Sequence, residues 1–360
     1  MNKLTIWLIV ILLASVGFNL FLWYGKSKTT TPLEMIESKP ASQQEEDEYR
    51  PFSEVRAELD IEPLRRLLKN GEYVELGRRL NDALRALPNN TELLLMEAEY
   101  FAKTKPLPDA ILNYYTLLDR PIDRSTQTLI QGRIDNLVKH AITPLKQEQQ
   151  WDLLAQFLEP LFQRKPGHKF YTLQLAEAYG RQENYTLMEN TLAEIDENDP
   201  EAKRIRDIAY NQSSDNGVAH AQYKYTGTSS GKSNQRIPLI RSGDQFLVDL
   251  VVEQTPVRML VDTGASISAL SARTYERLSE TYDSQFLGVF DVKTAAGNIR
   301  APMVTFSKVS LGDYEFRDLT IIIIPTDPFD QAEGLLGMNL LKAFDFRIDQ
   351  RAAMLVVQEL

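Results

Sequence analysis

The spacing of hydrophobic residues changes along the chain and divides it into three kinds of segment. Residues 4–24 carry no charge, residues 53–212 place leucines three and four positions apart, and residues 237–360 contain alternating hydrophobic and polar positions. These patterns predict a membrane-spanning helix, packed helices and β-strands, respectively. Two polar stretches, residues 28–52 and 213–236, separate the segments and are predicted to be flexible linkers.

The first hydrophobic segment is long enough to cross a bilayer. At 1.5 Å per residue a helix over residues 4–24 spans about 31 Å, the thickness of a hydrocarbon core. Trp7, Trp23 and Tyr24 lie near its ends, where aromatic rings prefer the interface. A cleaved signal peptide is the alternative, but the run ends without a small-residue cleavage site. Residues 1–27 are therefore predicted to be an uncleaved membrane anchor.

The helical segment, residues 53–212, is punctuated by turn-forming residues at regular distances. Pro88 and Pro121 lie 33 positions apart, and Pro166 and Pro200 lie 34 apart, which is the period of tetratricopeptide repeats. The longer gap from Pro121 to Pro166 breaks this period. The segment resembles a tetratricopeptide-like α-solenoid, which implies either a concave surface that binds a peptide or protein, or a spacer or dimerisation element.

The last segment, residues 237–360, contains three motifs in order. A hydrophobic strand over residues 259–261 leads directly into Asp262-Thr263-Gly264. A hairpin with a predicted turn at Gly297-Asn298 follows, and then Leu335-Leu336-Gly337 opens a short helix. Each motif alone has an ordinary structural explanation, since Asp-Thr-Gly is a common turn after a buried strand. All three in this order and spacing are not expected by chance.

These motifs resemble those of the retropepsin-like aspartic proteases, and the bacterial, membrane-anchored members are the most similar. The resemblance implies an all-β protease domain with Asp262 as the catalytic acid and base. It also implies that Thr263 and Gly264 support the catalytic residue and that Ala265 and Ser266 line the substrate cleft. The implied flap consists of Thr294, Ala295, Ala296, Gly297 and Asn298. The implied core motif consists of Leu335, Leu336 and Gly337. Leu260, Ile267, Ile324 and Leu335 are expected to make the cleft apolar.

A single Asp-Thr-Gly triplet supplies only half of an aspartic protease site. Two carboxylates must share one proton, because two like charges about 3 Å apart cannot both ionise. No second Asp-Ser-Gly or Asp-Thr-Gly occurs in the chain. The sequence therefore predicts a homodimer in which Asp262 pairs with its symmetry mate. Met338-Asn339 stands where viral relatives carry Arg-Asp, so dimer contacts are expected to come from elsewhere.

The composition of the chain limits the partners, metals and cofactors that it is expected to bind. The net charge is −10 and the chain has no cysteine, which disfavours nucleic acid as a partner and excludes disulfides and thiolate metal sites. The three histidines are scattered through the helical segment and the second linker, so no metal or cofactor is expected. The resemblance to the bacterial, membrane-anchored proteases implies a single-pass protein of the inner membrane with most of the chain in the periplasm.

Two functions fit the sequence. The first is a membrane-tethered aspartic endopeptidase that hydrolyses protein substrates through a water activated by the aspartate dyad, with the helical repeats recruiting a substrate or partner. The alternative is a non-catalytic membrane-tethered adaptor, in which the repeats bind and the protease-like domain dimerises or holds a peptide. An intact Asp262 favours the first, because a binding module does not need that carboxylate.

Overall fold

The computed structural model describes residues 60–212, 234–294, 297–325, 329 and 331–359. The predicted membrane helix at residues 4–24, the linker at 28–52 and most of the linker at 213–236 lie outside these residues, so those predictions stay untested. Among the described residues, no helix combines the length and the hydrophobicity needed to cross a bilayer. From Asp60 onward the chain forms one unit by its internal contacts.

Nine helices make up the described part of the helical segment, and most consecutive helices pack against one another. They are α1 (Glu62–Asn70), α2 (Tyr73–Ala86), α3 (Thr91–Thr104), α4 (Leu107–Leu118), α5 (Arg124–Gln147), α6 (Trp151–Arg164), α7 (Lys169–Arg181), α8 (Tyr185–Leu192) and α9 (Pro200–Gln212).

The helix boundaries follow the turn and capping residues of the sequence. Gly71 ends α1 in the left-handed conformation, with φ 75°. Asn90 caps α3 by accepting a hydrogen bond from the Leu93 N–H, and Asp123 caps α5 in the same manner. The 24-residue α5 occupies the gap that breaks the 33-to-34-residue period. The tetratricopeptide-like arrangement therefore stays a prediction for this helical region.

The C-terminal part of the chain contains eleven strands and two short helices among the described residues. The strands are β1 (Gln235–Pro238), β2 (Ile240–Ser242), β3 (Gln245–Val252), β4 (Thr255–Val261), β5 (Ala269–Ser271), β6 (Gln285–Thr294), β7 (Gly297–Leu311), β8 (Tyr314–Ile324), β9 (Gly334–Leu336), β10 (Phe344–Asp349) and β11 (Met354–Glu359). The helices are α10 (Ala272–Ser279) and α11 (Met338–Leu341). The domain is thus β-rich rather than all-β.

The strands form two sheets. The larger has the order β2-β3-β4-β9-β5-β8-β7-β6, and the smaller has the order β1-β11-β10. Strand β9 lies between β4 and β5 and pairs in parallel with β4, so Leu336 lies beside Val261. This crossover brings the Leu-Leu-Gly strand next to the strand that ends at the Asp-Thr-Gly triplet. Buried residues from both sheets pack into one hydrophobic core.

A second hydrophobic core joins the helical region to the β-domain. It combines residues of α3 to α9 with side chains of the β-domain, among them Ile267, Ala269, Leu287, Phe290 and Met303. Phe157 in α6 and Phe290 in β6 lie with their ring centroids 6.1 Å apart, and Pro106 forms a bridge to Val289. The helices are consequently packed on the β-domain through a shared interior.

Candidate active site

The Asp-Thr-Gly triplet lies at the end of β4. The Asp262 N–H donates to the main-chain oxygen of Leu336 at 3.0 Å, which continues the pairing of β4 with β9 by one residue. A hydrophobic strand held on both sides is a rigid support, because its pairing fixes the direction in which the next residue leaves. The structure therefore brings Asp262 together with the Leu335–Leu336 pair, as the motif order predicts.

The Asp262 carboxylate is held by its own turn and remains accessible. Its Oδ1 accepts a hydrogen bond from the Gly264 N–H at 2.9 Å, and its main-chain oxygen accepts one from Ala265 at 3.3 Å. Asp262 is half-buried, while Thr263, Gly264 and Ser266 are exposed. The carboxylate is thus oriented by the backbone and open to a ligand or to a second chain.

A side chain at either motif glycine would meet a neighbouring group. The sequence suggests that Gly264 needs a φ that other residues avoid, and this is wrong, since Gly264 is not among the glycines with positive φ. A Cβ at Gly264 would lie 3.2 Å from Asp262 Oδ1, so the glycine leaves room for the carboxylate. A Cβ at Gly337 would lie 2.6 Å from the main-chain carbon of Ile267, a contact that no side chain can make.

A buried polar cluster supports the segment that follows the Asp262 turn. Asn339 Oδ1 accepts hydrogen bonds from the main-chain N–H and from the hydroxyl of Ser268, each at 2.8 Å. The Ser268 hydroxyl in turn accepts one from the Gly337 N–H at 3.0 Å. Ser268 and Asn339 are completely buried, so each of these bonds replaces water that the groups have lost.

The helical region contributes to the same cluster through the segment between α5 and α6. Glu148 Oε1 accepts a hydrogen bond from the Thr320 N–H at 2.6 Å, and its Oε2 accepts one from Asn339 Nδ2 at 3.1 Å. Lys342 Nζ donates to the main-chain oxygen of Glu148. Gln150 Nε2 donates to the main-chain oxygen of Ser266 at 3.2 Å. The helical region therefore reaches the floor of the predicted cleft.

Burial dominates the electrostatics of this cluster. Desolvation raises the pKa of the Glu148 carboxyl to about 7, although its hydrogen bonds from Thr320 and Asn339 and the nearby Lys342 act in the opposite direction. Desolvation also lowers the pKa of the Lys342 ammonium group, and the Glu148 charge opposes this. Among the described residues, no group of three or more acidic residues and histidines could hold a metal ion.

The predicted flap is the hairpin of β6 and β7, but its turn differs from the prediction. Pairing continues to Thr294 opposite Gly297 and Lys293 opposite Asn298, so Gly297 and Asn298 belong to β7 and the chain reverses before them. Gly297 has φ 115°, which explains why a glycine starts the returning strand. The predicted flap residues Ala295 and Ala296 lie outside the described residues.

The residues expected to make the cleft apolar are largely committed to packing. Ile267 is buried in the core shared with the helices, and Ile324 and Leu335 pack against that core. The flap pair Val292 and Ile299 packs there as well. Sequence reasoning did not foresee this contact, because no motif of the β-domain indicates which of its faces the helices cover.

The supporting residues Glu148, Ser268 and Thr320 are not among those that the sequence predicts. Ser268 offered only one weak signal, a hydroxyl in an otherwise apolar run from Ile267 to Leu270. Glu148 lies within a polar stretch, Lys146 to Gln150, which reads as an exposed turn, and it is nevertheless 4% exposed. Its burial follows from a partner 191 positions away, Asn339, and cannot be read locally.

Comparisons with known proteins found similarity to aspartic proteases over part of this chain. The family model described as "gag-polyprotein putative aspartyl protease" matches residues 248–343, which include both the Asp-Thr-Gly and the Leu-Leu-Gly motifs. A crystal structure of a retropepsin-like aspartic protease from Rickettsia conorii matches at 27% sequence identity with a TM-score of 0.27, covering 38% of this chain and 97% of that chain. The comparison with curated proteins gave no match. By the family match and the site geometry, residues 235–359 resemble a retropepsin-like aspartic protease domain.

Proposed function

We propose that this chain is an aspartic endopeptidase whose active form is a homodimer. One observation carries the proposal: the accessible Asp262 carboxylate directly follows strand β4 and is oriented by the Gly264 N–H at 2.9 Å, beside the Leu335–Leu336 strand. Within a retropepsin-like domain this arrangement supplies one carboxylate of a proteolytic dyad. Retropepsin-like proteases commonly act as dimers on peptide substrates, which supports a second chain as the source of the other carboxylate.

The chemistry follows from two carboxylates that share one proton. One aspartate is ionised and takes a proton from a water molecule, and the other is protonated and hydrogen-bonds the scissile carbonyl oxygen. The activated water attacks the carbonyl carbon, and the tetrahedral intermediate collapses when the leaving amine receives a proton. Because water is the nucleophile, no acyl-enzyme forms.

The neighbouring residues take positioning roles in this proposal. Thr263 braces the dyad across the dimer, and Gly264 allows the substrate backbone to approach. Ala265 and Ser266 form the accessible part of the cleft floor, and the hairpin of β6 and β7 covers the substrate as a flap. A tether at residues 4–24 and a periplasmic location rest on the sequence alone.

A non-catalytic adaptor is the second candidate, and one observation favours it. Ile267, Ile324 and Leu335, which would form apolar subsites, are packed against the core of the helical region. A domain whose cleft wall is used for packing could hold its helices and a partner without turning over a peptide. The two functions differ in whether Asp262 is needed.

The test is cleavage of an unbiased peptide library by the full-length chain in detergent, comparing wild type with Asp262→Asn across about pH 4–8. The whole chain is used because the helices and the β-domain share a core. Asparagine keeps an oxygen for the Gly264 N–H, so we expect an unchanged melting temperature and a loss of roughly 10²–10⁴-fold in rate or more. Equal cleavage by both chains, or none by a folded wild-type dimer, would favour the adaptor.

The homodimer is tested in the same assay by mixing. Wild-type chains are incubated with a large excess of Asp262→Asn chains, so that most wild-type chains enter mixed dimers with one carboxylate. We expect activity per wild-type chain to fall towards that of the variant alone. Activity that is unaffected by the excess would show that a single chain carries the complete site.

A further inference from the structure

The segment between α5 and α6 penetrates the β-domain. Glu148 is 4% exposed and Gln150 is 8% exposed, although both carry polar side chains. A carboxyl group removed from water is costly unless hydrogen bonds replace its hydration. The hydrogen-bond partners of Glu148 therefore indicate which part of the β-domain its buried carboxyl group holds in place.

Both carboxylate oxygens of Glu148 are used by the β-domain. The Thr320 N–H donates to Oε1 at 2.6 Å, and the Asn339 amide donates to Oε2 at 3.1 Å. The same amide donates to the Thr320 main-chain oxygen at 2.9 Å. Glu148 thus fixes the Asn339 side chain in one orientation, with its Nδ2 towards Glu148 and its Oδ1 on the opposite side.

The fixed Asn339 holds the segment that follows the catalytic aspartate. Its Oδ1 binds the N–H and hydroxyl of Ser268, and its main-chain N–H donates to the Ser266 oxygen at 3.0 Å. The adjacent Met338 N–H donates to the Ala265 oxygen at 2.7 Å. A continuous chain of hydrogen bonds therefore runs from Glu148 to the residues immediately after the Asp262 turn.

Gln150 reaches the same segment by a separate route. Its side-chain amide donates to the Ser266 main-chain oxygen at 3.2 Å and to the Glu148 main-chain oxygen at 3.1 Å. Simple attachment of helices to a sheet would not need these polar groups, because the shared hydrophobic core already provides it. Two buried polar side chains converging on residues 265–268 are better explained by control of that segment's position.

We propose that Glu148 is a positioning residue for the proteolytic site, supplied by the helical region and assisted by Gln150. It holds Asn339 so that the segment after Asp262 keeps the geometry that the dyad requires. This inference rests on the proposed function for its effect on catalysis, but the positioning itself can be measured without activity. The helical region then completes the site in addition to any role in binding a substrate.

The experiment compares full-length wild type with Glu148→Gln. Glutamine has nearly the same shape and can still accept the Thr320 N–H, but its NH₂ group faces the NH₂ group of Asn339, and two donors cannot pair. Hydrogen–deuterium exchange is followed in the peptides that cover residues 262–268 and 337–339. We expect exchange there to become roughly tenfold faster while α7 and β3 keep wild-type protection.

Steady-state kinetics with a peptide from the library gives the catalytic readout. A displaced catalytic segment lowers kcat, by roughly 10–100-fold, and leaves KM close to the wild-type value, because misalignment affects the reacting geometry more than substrate binding. If wild type does not cleave, the proposed function fails, and the exchange data still decide whether Glu148 positions the segment.

Glu177→Gln is the matched control. Glu177 is 5% exposed and bonded to Lys146 and Arg204 within the helical region, so its loss should reduce stability without altering exchange at residues 262–268. Gln150→Ala is the second variant, used in case Glu148→Gln does not fold, and a smaller increase in exchange is expected at the same residues. The proposal is overturned if the folded variants exchange at residues 262–268 no faster than Glu177→Gln.

Discussion

Asn339 Oδ1 receives two hydrogen bonds from Ser268, one from its main-chain N–H and one from its hydroxyl, each 2.8 Å long. The two residues are 71 positions apart and completely buried. Their contact joins the segment after Asp262 to the helix after Leu-Leu-Gly. The Asp-Thr-Gly and Leu-Leu-Gly motifs are thus connected by side chains as well as by the pairing of β4 with β9.

Removal of the Ser268 hydroxyl should destabilise the chain and disturb the site. In Ser268→Ala the buried Gly337 N–H loses its acceptor, since the Ser268 hydroxyl receives that bond at 3.0 Å. A buried donor without a partner costs about 1–3 kcal/mol. We expect the free energy of unfolding in urea to fall by this amount. Ser268→Thr keeps the hydroxyl and should lose less, whereas an equal loss in both variants would mean that volume, not hydrogen bonding, matters at this position.

Gly337→Ala should be among the most damaging small substitutions in the β-domain. The added methyl group would meet the main-chain carbon of Ile267 at 2.6 Å, and backbone atoms of a paired segment cannot move aside cheaply. We expect a loss of about 1–3 kcal/mol or more in unfolding free energy, together with loss of cleavage.

Gly132→Ala is the control for the glycine substitution. Gly132 is exposed in the interior of α5, and a methyl group there would contact nothing within 4 Å. Alanine should therefore stabilise the chain by about 0.5–1 kcal/mol, because it reduces the freedom of the unfolded state and favours helix. A similar loss from both glycine substitutions would contradict the structural account of Gly337.

Glu148 should make stability depend on pH in a defined direction. Its pKa in the folded chain, about 7, lies above its ordinary value of 4.5, so the folded chain binds this proton more tightly than the unfolded chain. The contribution is fully present below pH 4.5 and is lost as pH rises through 7. The difference corresponds to on the order of 3 kcal/mol.

The measurement is the free energy of unfolding of wild type and Glu148→Gln from acid to neutral pH. The wild-type value should fall relative to that of the variant as pH rises, and parallel curves would contradict the prediction. Lys342 is the charged group that faces Glu148, and its charge lowers the carboxyl's pKa. In Lys342→Met the fall should therefore extend to higher pH.

The contiguous parts of the site could be predicted from the sequence, and the parts assembled from distant segments could not. Asp262 to Gly264 and Leu335 to Gly337 are each contiguous in the sequence, so the hydrophobic pattern and the glycine positions are enough to recognise them. The flap turn lies two positions before the predicted one, because Gly297 is the first residue of β7. Glu148 became visible only in three dimensions, since its environment is made by strands and a helix far away in sequence.

Because the helical region and the β-domain share a hydrophobic core, we expect them to unfold together. Phe157 is 1% exposed, and its ring centroid lies 6.1 Å from that of Phe290 across the contact between α6 and β6. Two probes should report one transition in urea: fluorescence of Trp151 in the helical region, with Trp7 and Trp23 replaced by Phe, and hydrogen exchange of β4 amides. In a single cooperative unit such probes coincide, because neither part is populated alone.

Phe157→Ala should shift both probes to lower urea by the same amount. Truncation of a buried phenylalanine costs about 3–5 kcal/mol, and both probes report this whole loss if the two parts unfold as one unit. Phe170→Ala is the matched control, because Phe170 in α7 is 39% exposed and its loss should move neither midpoint appreciably. If Phe157→Ala shifts the Trp151 transition and leaves the β4 amides protected, the two parts are separately stable.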